Sequence, residues 1–410
     1  MANPSGLLPL SNTGLRAPSP EPRTRGPRPS DSIRIRLVTF TRRARRYTTS
    51  TATVAALAIA LWTLARVDGS APPQPSSSSF ASTIASLSER GGYFDTDNLI
   101  SNERSYLQVV SELRRQSVRG GAYIGVGPDQ NFSYISEVRP TVAFIIDVRR
   151  DNQLLHLLFK ALFAVSETRI EYLAQLTGRP VPPALNGWRQ APIDRLIGYL
   201  DKTAVSAEAI DARKRRIEEA LRKTGVPLSA EDFATIAAFH RRFMDEGLSL
   251  RFNSTGRPPQ PYYPTYRDLL LETDAAGKQA NFLASEDSYQ FVKTLQAQDR
   301  VLPVVGDISG PSALQAVGRA IAARGERLSA FYVSNVEYYL FSQGAYPRFV
   351  TNLRAIPRTR SAVLIRSVFG RYSGLGRPGD ASQSQLHPLD DLLGGYDDGR
   401  YRSYGQLVGR

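Results

Sequence analysis

The residues whose types and spacing best suit chemistry are two glycines, three acids and an amide: Gly125, Gly127, Asp147, Asp307, Glu337 and Asn335. Gly125-Val126-Gly127 closes a short apolar run, so the backbone there can approach a ligand closely, and a helix opening near Asp129 adds a partial positive charge. A purely structural tight turn accounts for the same glycines. Asp147 comes 22 residues after Gly125, about the offset at which an acid takes a ribose hydroxyl pair in dinucleotide folds. The competing reading has Asp147 capping a helix that begins near Asp151, or pairing with Arg149 or Arg150. Asp307, after Gly306, can accept from the exocyclic amine of a base or cap the turn that follows. The run Ser334-Asn335-Val336-Glu337-Tyr338-Tyr339 gathers amide, carboxylate and phenol groups that are costly to bury unpartnered, and such clusters more often line a site than a core.

These residues need strands to end where they stand, and the hydrophobic pattern supplies them. Apolar runs at Ala122–Val126, Thr141–Val148, Val301–Val305, Ser329–Ser334 and Ala362–Val368 read as strands. Helical patterns lie between them at Asp129–Val138, Ser312–Arg324 and Tyr346–Ile356. The second run, TVAFIIDV, is almost continuously apolar, as a parallel strand covered on both faces requires. Helices are also expected at Phe80–Glu89 and Leu99–Arg119 ahead of the first strand. The fold class is therefore α/β, with a Rossmann-like, mostly parallel sheet and helices on both faces. About 150 residues separate the second and third strands, far more than one crossover needs. That stretch reads as a helical insertion, with helices at Asn152–Leu176, Ile193–Leu200, Ala207–Lys223 and Ala230–Glu246. Its continuation, Arg251–Asp268, is rich in proline and aromatics and suits a lid, a substrate wall or a packed loop.

The net charge of +14 is lopsided. Residues 1–50 carry ten arginines against Glu21 and Asp31, a balance of +8, which leaves +6 for the other 360 residues. The arginines lack interleaved aromatics and adjoin an uncharged run, Tyr47–Ala65, so the arm reads as a membrane-orienting or lipid-facing segment and not as a sequence-specific nucleic-acid reader. Val54–Ala65, the most apolar part, suits a single N-terminal membrane anchor or the core of a signal peptide. If the true start codon lies further along, the arm is absent and the protein is soluble and cytoplasmic. Cysteine is absent, and His156, His240 and His387 lie far apart with no metal-ligand spacing, so no metal centre is expected. The chain divides into a disordered basic arm (1–46), an anchor or signal segment (47–67), a Pro/Ser linker (68–79), two parts of the α/β domain (80–150 and 299–370) around the insertion (151–298), and an irregular tail (371–410).

At a finer level the chain resembles an uncharacterised bacterial family with the class I S-adenosylmethionine-dependent methyltransferase fold. The resemblance is carried by Phe94-Asp-Thr-Asp-Asn-Leu-Ile-Ser-Asn-Glu103, Tyr123-Ile-Gly-Val-Gly-Pro-Asp-Gln-Asn-Phe132, Phe144-Ile-Ile-Asp-Val-Arg-Arg150, Val304-Val-Gly-Asp307 and Tyr332-Val-Ser-Asn-Val-Glu-Tyr-Tyr339. It implies an S-adenosylmethionine-binding, methyltransferase-like protein with an unknown acceptor. Gly125 and Gly127 would lie against the methionine moiety, Asp147 on the ribose and Asp307 near adenine. Asn98 and Glu103 would add cofactor contacts, Asn335 would lie by the transferred methyl, and Asn335 or Glu337 would orient or deprotonate the acceptor. Two departures stand out: Tyr123 occupies the position where many such enzymes carry an acid, and Ser334-Asn-Val-Glu337 lacks the prolines of the amino-methylating motif. The arm brings a conflict of its own. With Arg42–Arg46 on the cytoplasmic side, the α/β domain faces a compartment where S-adenosylmethionine is not expected. The alternative reading is a membrane-tethered, non-catalytic module that binds a nucleotide-type ligand.

Overall fold

The computed structural model describes residues 77–254, 260–370 and 380–409. The basic arm and the proposed anchor lie outside the described residues. So does the linker, except that Ser77–Ser79 already belong to the first helix, Ser77–Leu87. Among the described residues no helix is long and apolar enough to cross a membrane.

Six strands form one sheet in the order β3-β2-β1-β4-β5-β6. They are β1 Ala122–Gly125, β2 Val142–Asp147, β3 Val301–Val305, β4 Leu328–Ser334, β5 Arg358–Phe369 and β6 Ser382–Pro388. The first five run parallel, and β6 pairs antiparallel with β5. The five expected strands are all present, within a few residues of their expected bounds. Strands β1 and β3 are buried along their whole length, and in β2 only the terminal Asp147 is partly open. This is the pattern of a sheet with helices on both faces. The chain winds outward from β1 through β2 to β3, then returns to the other side of β1 as β4. The reversal opens a crevice at the carboxyl ends of β1 and β4, where such sheets bind ligands.

The insertion between β2 and β3 is helical, as expected. The single helix expected at Asn152–Leu176 is two, Arg150–Val165 and Arg169–Leu176, because Thr168 and Glu171 form a capping box that restarts the helix. Ser229 with Asp232, and Thr265 with Asp268, do the same for Ala230–Glu246 and Tyr266–Leu271. Leu196, Ile217 and Phe243 of the insertion belong to the same continuous core as the sheet residues, so the insertion has no separate core.

Two expectations need correction. The segment Leu99–Arg119 is not one helix but a 3-10 turn, Arg104–Leu107, followed by a short helix, Val110–Arg115. Glu103 sits ahead of the turn with extended backbone, drawn inward by hydroxyl groups of β4 and β5. The tail, expected to be irregular, contains β6 and two helices, Leu389–Asp397 and Tyr404–Leu407. The buried positions of β6 are Ser382 and Ser384, whose hydroxyls meet that of Ser105, so the strand shows no apolar alternation.

Candidate functional site

A cavity of about 250 Å³ opens at the carboxyl ends of β1 to β4. Its lining includes Asn98, Glu103, Gly127, Asp147, Asp307 and Asn335, so six of the eight expected site residues converge on it. Gly125 lies just behind, at the end of β1.

The glycine loop is held by Asn131. Its amide nitrogen donates to the carbonyls of Val126 (2.8 Å), Gly127 (3.3 Å) and Pro128 (2.8 Å), while its oxygen accepts from the Tyr123 hydroxyl at 2.8 Å. A methyl group at Gly125 would fall 1.8 Å from that oxygen, so the glycine is required by the clasp. Gly127 has φ +81°, a left-handed conformation that favours glycine. His156 lies beneath the loop and bonds the Gly127 carbonyl at 2.9 Å through Nε2. Burial pushes its pKa down to about 4, so the ring is neutral and that nitrogen is the donor. Asp129 opens the Gln130–Val138 helix without capping it by side chain. Its buried carboxyl instead accepts from the Tyr266 hydroxyl at 2.9 Å, and burial pushes its pKa up to about 7.

Asp147 stands at the end of β2 and is gripped by Arg149. The guanidinium donates to both carboxylate oxygens, at 3.1 and 2.9 Å, and the Arg149 backbone N–H adds a bond at 2.9 Å. The competing reading of Asp147 as a partner of Arg149 is therefore correct in geometry, although both side chains still line the cavity. Asp307 accepts from the Ser309 backbone N–H (2.7 Å) and hydroxyl (2.9 Å), so it closes its own turn as the second reading held. The first turn of the next helix is capped by Glu89, which accepts from the N–H groups of Ala313 (3.1 Å) and Asp307 (2.9 Å).

Glu103 is 1% exposed yet reaches the cavity wall. Its carboxyl accepts from the hydroxyls of Tyr332, Ser334 and Ser367. Burial raises its pKa above the usual carboxyl range, with the three hydroxyls pulling the other way. Ser334 reaches it from a left-handed backbone, φ +55°, at a point where the β4–β5 register shifts. Such strain in a residue with a side chain costs roughly 1–3 kcal/mol and clusters at functional sites. Asn335 follows, with no capping bond from its side chain.

Glu337 is not in the cavity. It is buried behind the strand end, where Arg366 donates to it at 2.5 and 3.3 Å, and it is corrected from a catalytic candidate to half of an internal ion pair. The i+2 offset from Asn335 turns its side chain inward at the start of the Val336–Ser342 helix.

Sequence reasoning passed over Gln130 and Asn131, and it saw the aromatic rim only in part, at Arg251–Asp268 and Tyr338-Tyr339. Gln130 and Asn131 had registered only as bulk in place of a third glycine. The rim comprises Tyr93, Phe94, Phe252, Tyr263 and Tyr339, which line the cavity from three separate segments. Phe252 and Tyr263 make Arg251–Asp268 a wall of the site. The available signal for the rim was its pairing of adjacent aromatics, Tyr93-Phe94, Tyr262-Tyr263 and Tyr338-Tyr339.

The family model described as a domain of unknown function (DUF7790) matches residues 98–182 and 248–402. The chain belongs to this family. The matched segments contain every cavity-lining residue except Tyr93, Phe94 and Thr96, whereas residues 183–247, which hold four of the insertion helices, lie outside them. The family thus shares the ground on which the site is built. No curated protein matches the chain. Among the described residues no cluster of histidines and acids could hold a metal ion.

Proposed function

We propose that the protein binds S-adenosylmethionine, or a closely related nucleoside, in the cavity at the carboxyl ends of β1 to β4, and acts as a methyltransferase-like protein on an unidentified acceptor. The observation that carries this reading is the convergence on one cavity of Gly127, Asp147, Asp307 and Asn335, contributed by four successive strand ends. A left-handed glycine lets the ligand approach the first strand, an acid stands at the second, and another acid follows the third. The antiparallel β6 also departs from the paired parallel halves of the dinucleotide fold. Methyl transfer is an in-line displacement that depends mainly on positioning. Asn335 can orient an acceptor from the rim side, and the aromatic residues there can pack against it.

One observation favours the non-catalytic alternative, a nucleoside-binding module with the same fold. With Glu337 held by Arg366 and Asp147 by Arg149, two carboxylates that could take a proton from an acceptor are already in ion pairs. Calorimetric titration of the full chain with S-adenosylmethionine and S-adenosylhomocysteine tests binding directly. Micromolar binding that Gly127→Val abolishes supports the reading, and no heat with either nucleoside overturns it. Slow hydrolysis or transfer of the labelled methyl group, lost in Asn335→Ala, would separate the enzyme from the module.

A further inference from the structure

Two buried polar groups on the cavity wall are incompletely matched, and they lie on one hydrogen-bond chain. Gln130 is 5% exposed and lines the cavity, yet its side-chain oxygen has no hydrogen-bond partner among the described residues. Its nitrogen donates to the Tyr332 hydroxyl at 3.2 Å, and that hydroxyl donates onward to Glu103. All three side chains bonded to Glu103 carry neutral hydroxyls. The other titratable groups that face it are the phenols of Tyr123, Tyr134 and Tyr332, which burial keeps neutral. Among the described residues of the cavity lining, Glu103, Asp147 and Asp307 stand against the single cation Arg149, which is already committed to Asp147. A buried acceptor without a donor and a buried carboxylate without a cation both cost free energy that a ligand donor can recover.

We propose that Gln130 and Glu103 form a subsite for a primary ammonium group of the ligand, which donates to the Gln130 oxygen and to the Glu103 carboxylate at once. An ammonium has three donors and no acceptor, so it matches both groups, whereas a phosphate or carboxylate matches neither. The proposal deepens the nucleoside reading, because S-adenosylmethionine carries such a group, but it does not require a nucleoside. Burial favours the neutral form of Glu103 and a bound cation the charged one, so a ligand ammonium there lowers the pKa of the carboxyl.

The test is calorimetry on the full chain with three probes: S-adenosylmethionine, 5′-methylthioadenosine, which keeps the nucleoside and a neutral sulfur but lacks the aminocarboxypropyl chain with its ammonium, and phenethylamine, a primary ammonium without a nucleoside; the variants assign the ammonium's share of any preference. The wild type is expected to bind S-adenosylmethionine at least about tenfold more tightly than methylthioadenosine. Glu103→Gln should remove most of the preference, and Gln130→Ala should remove part of it. If Glu103→Gln does not fold, Gln130→Ala alone decides, since it removes the unpaired oxygen at the cost of one hydrogen bond, to the Tyr332 hydroxyl. Equal binding of the two nucleosides, or a preference that neither variant changes, overturns the subsite while the nucleoside reading stands. If neither nucleoside binds, that reading fails, and phenethylamine decides the subsite: binding lost in Glu103→Gln upholds it, and no binding overturns it.

Discussion

Arg149 holds Asp147 by both carboxylate oxygens across the end of β2, and it also reaches the carbonyls of Thr96 and Asp97 at 2.9 and 3.3 Å. Three donated bonds leave the carboxylate room for about one ligand hydroxyl, where an unpaired acid would take two. Asp147→Ala is therefore expected to act twice. It should lower stability by roughly 2 kcal/mol, because Arg149 is left buried with only carbonyl partners. It should also weaken S-adenosylmethionine binding about tenfold through the one lost charge-assisted bond. Melting temperature and affinity measured on the same variant check both parts. A protein that melts early but binds normally removes Asp147 from the ligand contacts.

Glu337 and Arg366 are each 2% exposed or less. Removing one member leaves the other charged and buried, so Glu337→Ala should cost about 3–5 kcal/mol. The cavity should be unaffected, and nucleoside affinity per folded molecule should match the wild type. Urea unfolding gives the first quantity and titration at low temperature the second. A tenfold affinity loss in a variant of normal stability would return Glu337 to the site.

Asp129 makes stability depend on pH in an unusual direction. Its pKa lies at about 7 in the folded protein against 3.8 for the free side chain. Between those values the folded state holds a proton that the unfolded chain has released, so this group's contribution falls as pH rises from about 4 to 7 and levels off above. His156 and His387, both lowered to about 4, act in the opposite sense over the same range. The wild-type profile adds these to the other shifted groups, His240, Glu89 and Glu103 among them, so the informative quantity is the difference between it and Asp129→Asn, which keeps an oxygen for Tyr266. That difference should grow in favour of the variant up to pH 7, with an upper bound on the order of 4 kcal/mol. Denaturant midpoints from pH 4 to 8 measure it, and a flat difference means that Asp129 is ionised in the fold.

Gly125→Ala is predicted to break the clasp made by Asn131. The added methyl displaces the Asn131 oxygen, and the three loop carbonyls lose their shared donor. Overpacking of this kind costs about 1–3 kcal/mol. Ligand binding should fall further than stability does. Gly198→Ala serves as the control away from the site, since it lies in the helix Ile193–Lys202 and a methyl there meets nothing within 4 Å.

The sheet was legible because β2 and β3 are apolar on both faces, and the ends of those strands told where to look. What the sequence concealed were pairings between distant segments. Nothing local distinguishes Glu103 in a buried hydroxyl nest from Glu103 on a helix surface, because its partners lie on β4 and β5. Asn335 and Glu337 look equivalent in one polar motif, yet Arg366 on β5 draws the second away from the cavity. The tail was misread for the same reason. The inward side chains of β6 are serines whose partner, Ser105, precedes the sheet, so its pairing left no apolar signature.

The clasp between Ser105 and Ser382, at 2.7 Å, joins residues 277 positions apart. The neighbouring Glu103 is likewise held by Ser367, 264 positions away. Closing loops of that length is entropically slow, so these contacts belong to the last events of folding. The glycine loop and β2 can form while the chain is still being made, but the cavity floor cannot close until β5 and β6 have left the ribosome. A nascent chain halted at Phe369, with its last strand still inside the ribosome, would lack Ser367 at Glu103 and Ser382 at Ser105, and ligand capture should first appear once β5 and β6 have emerged.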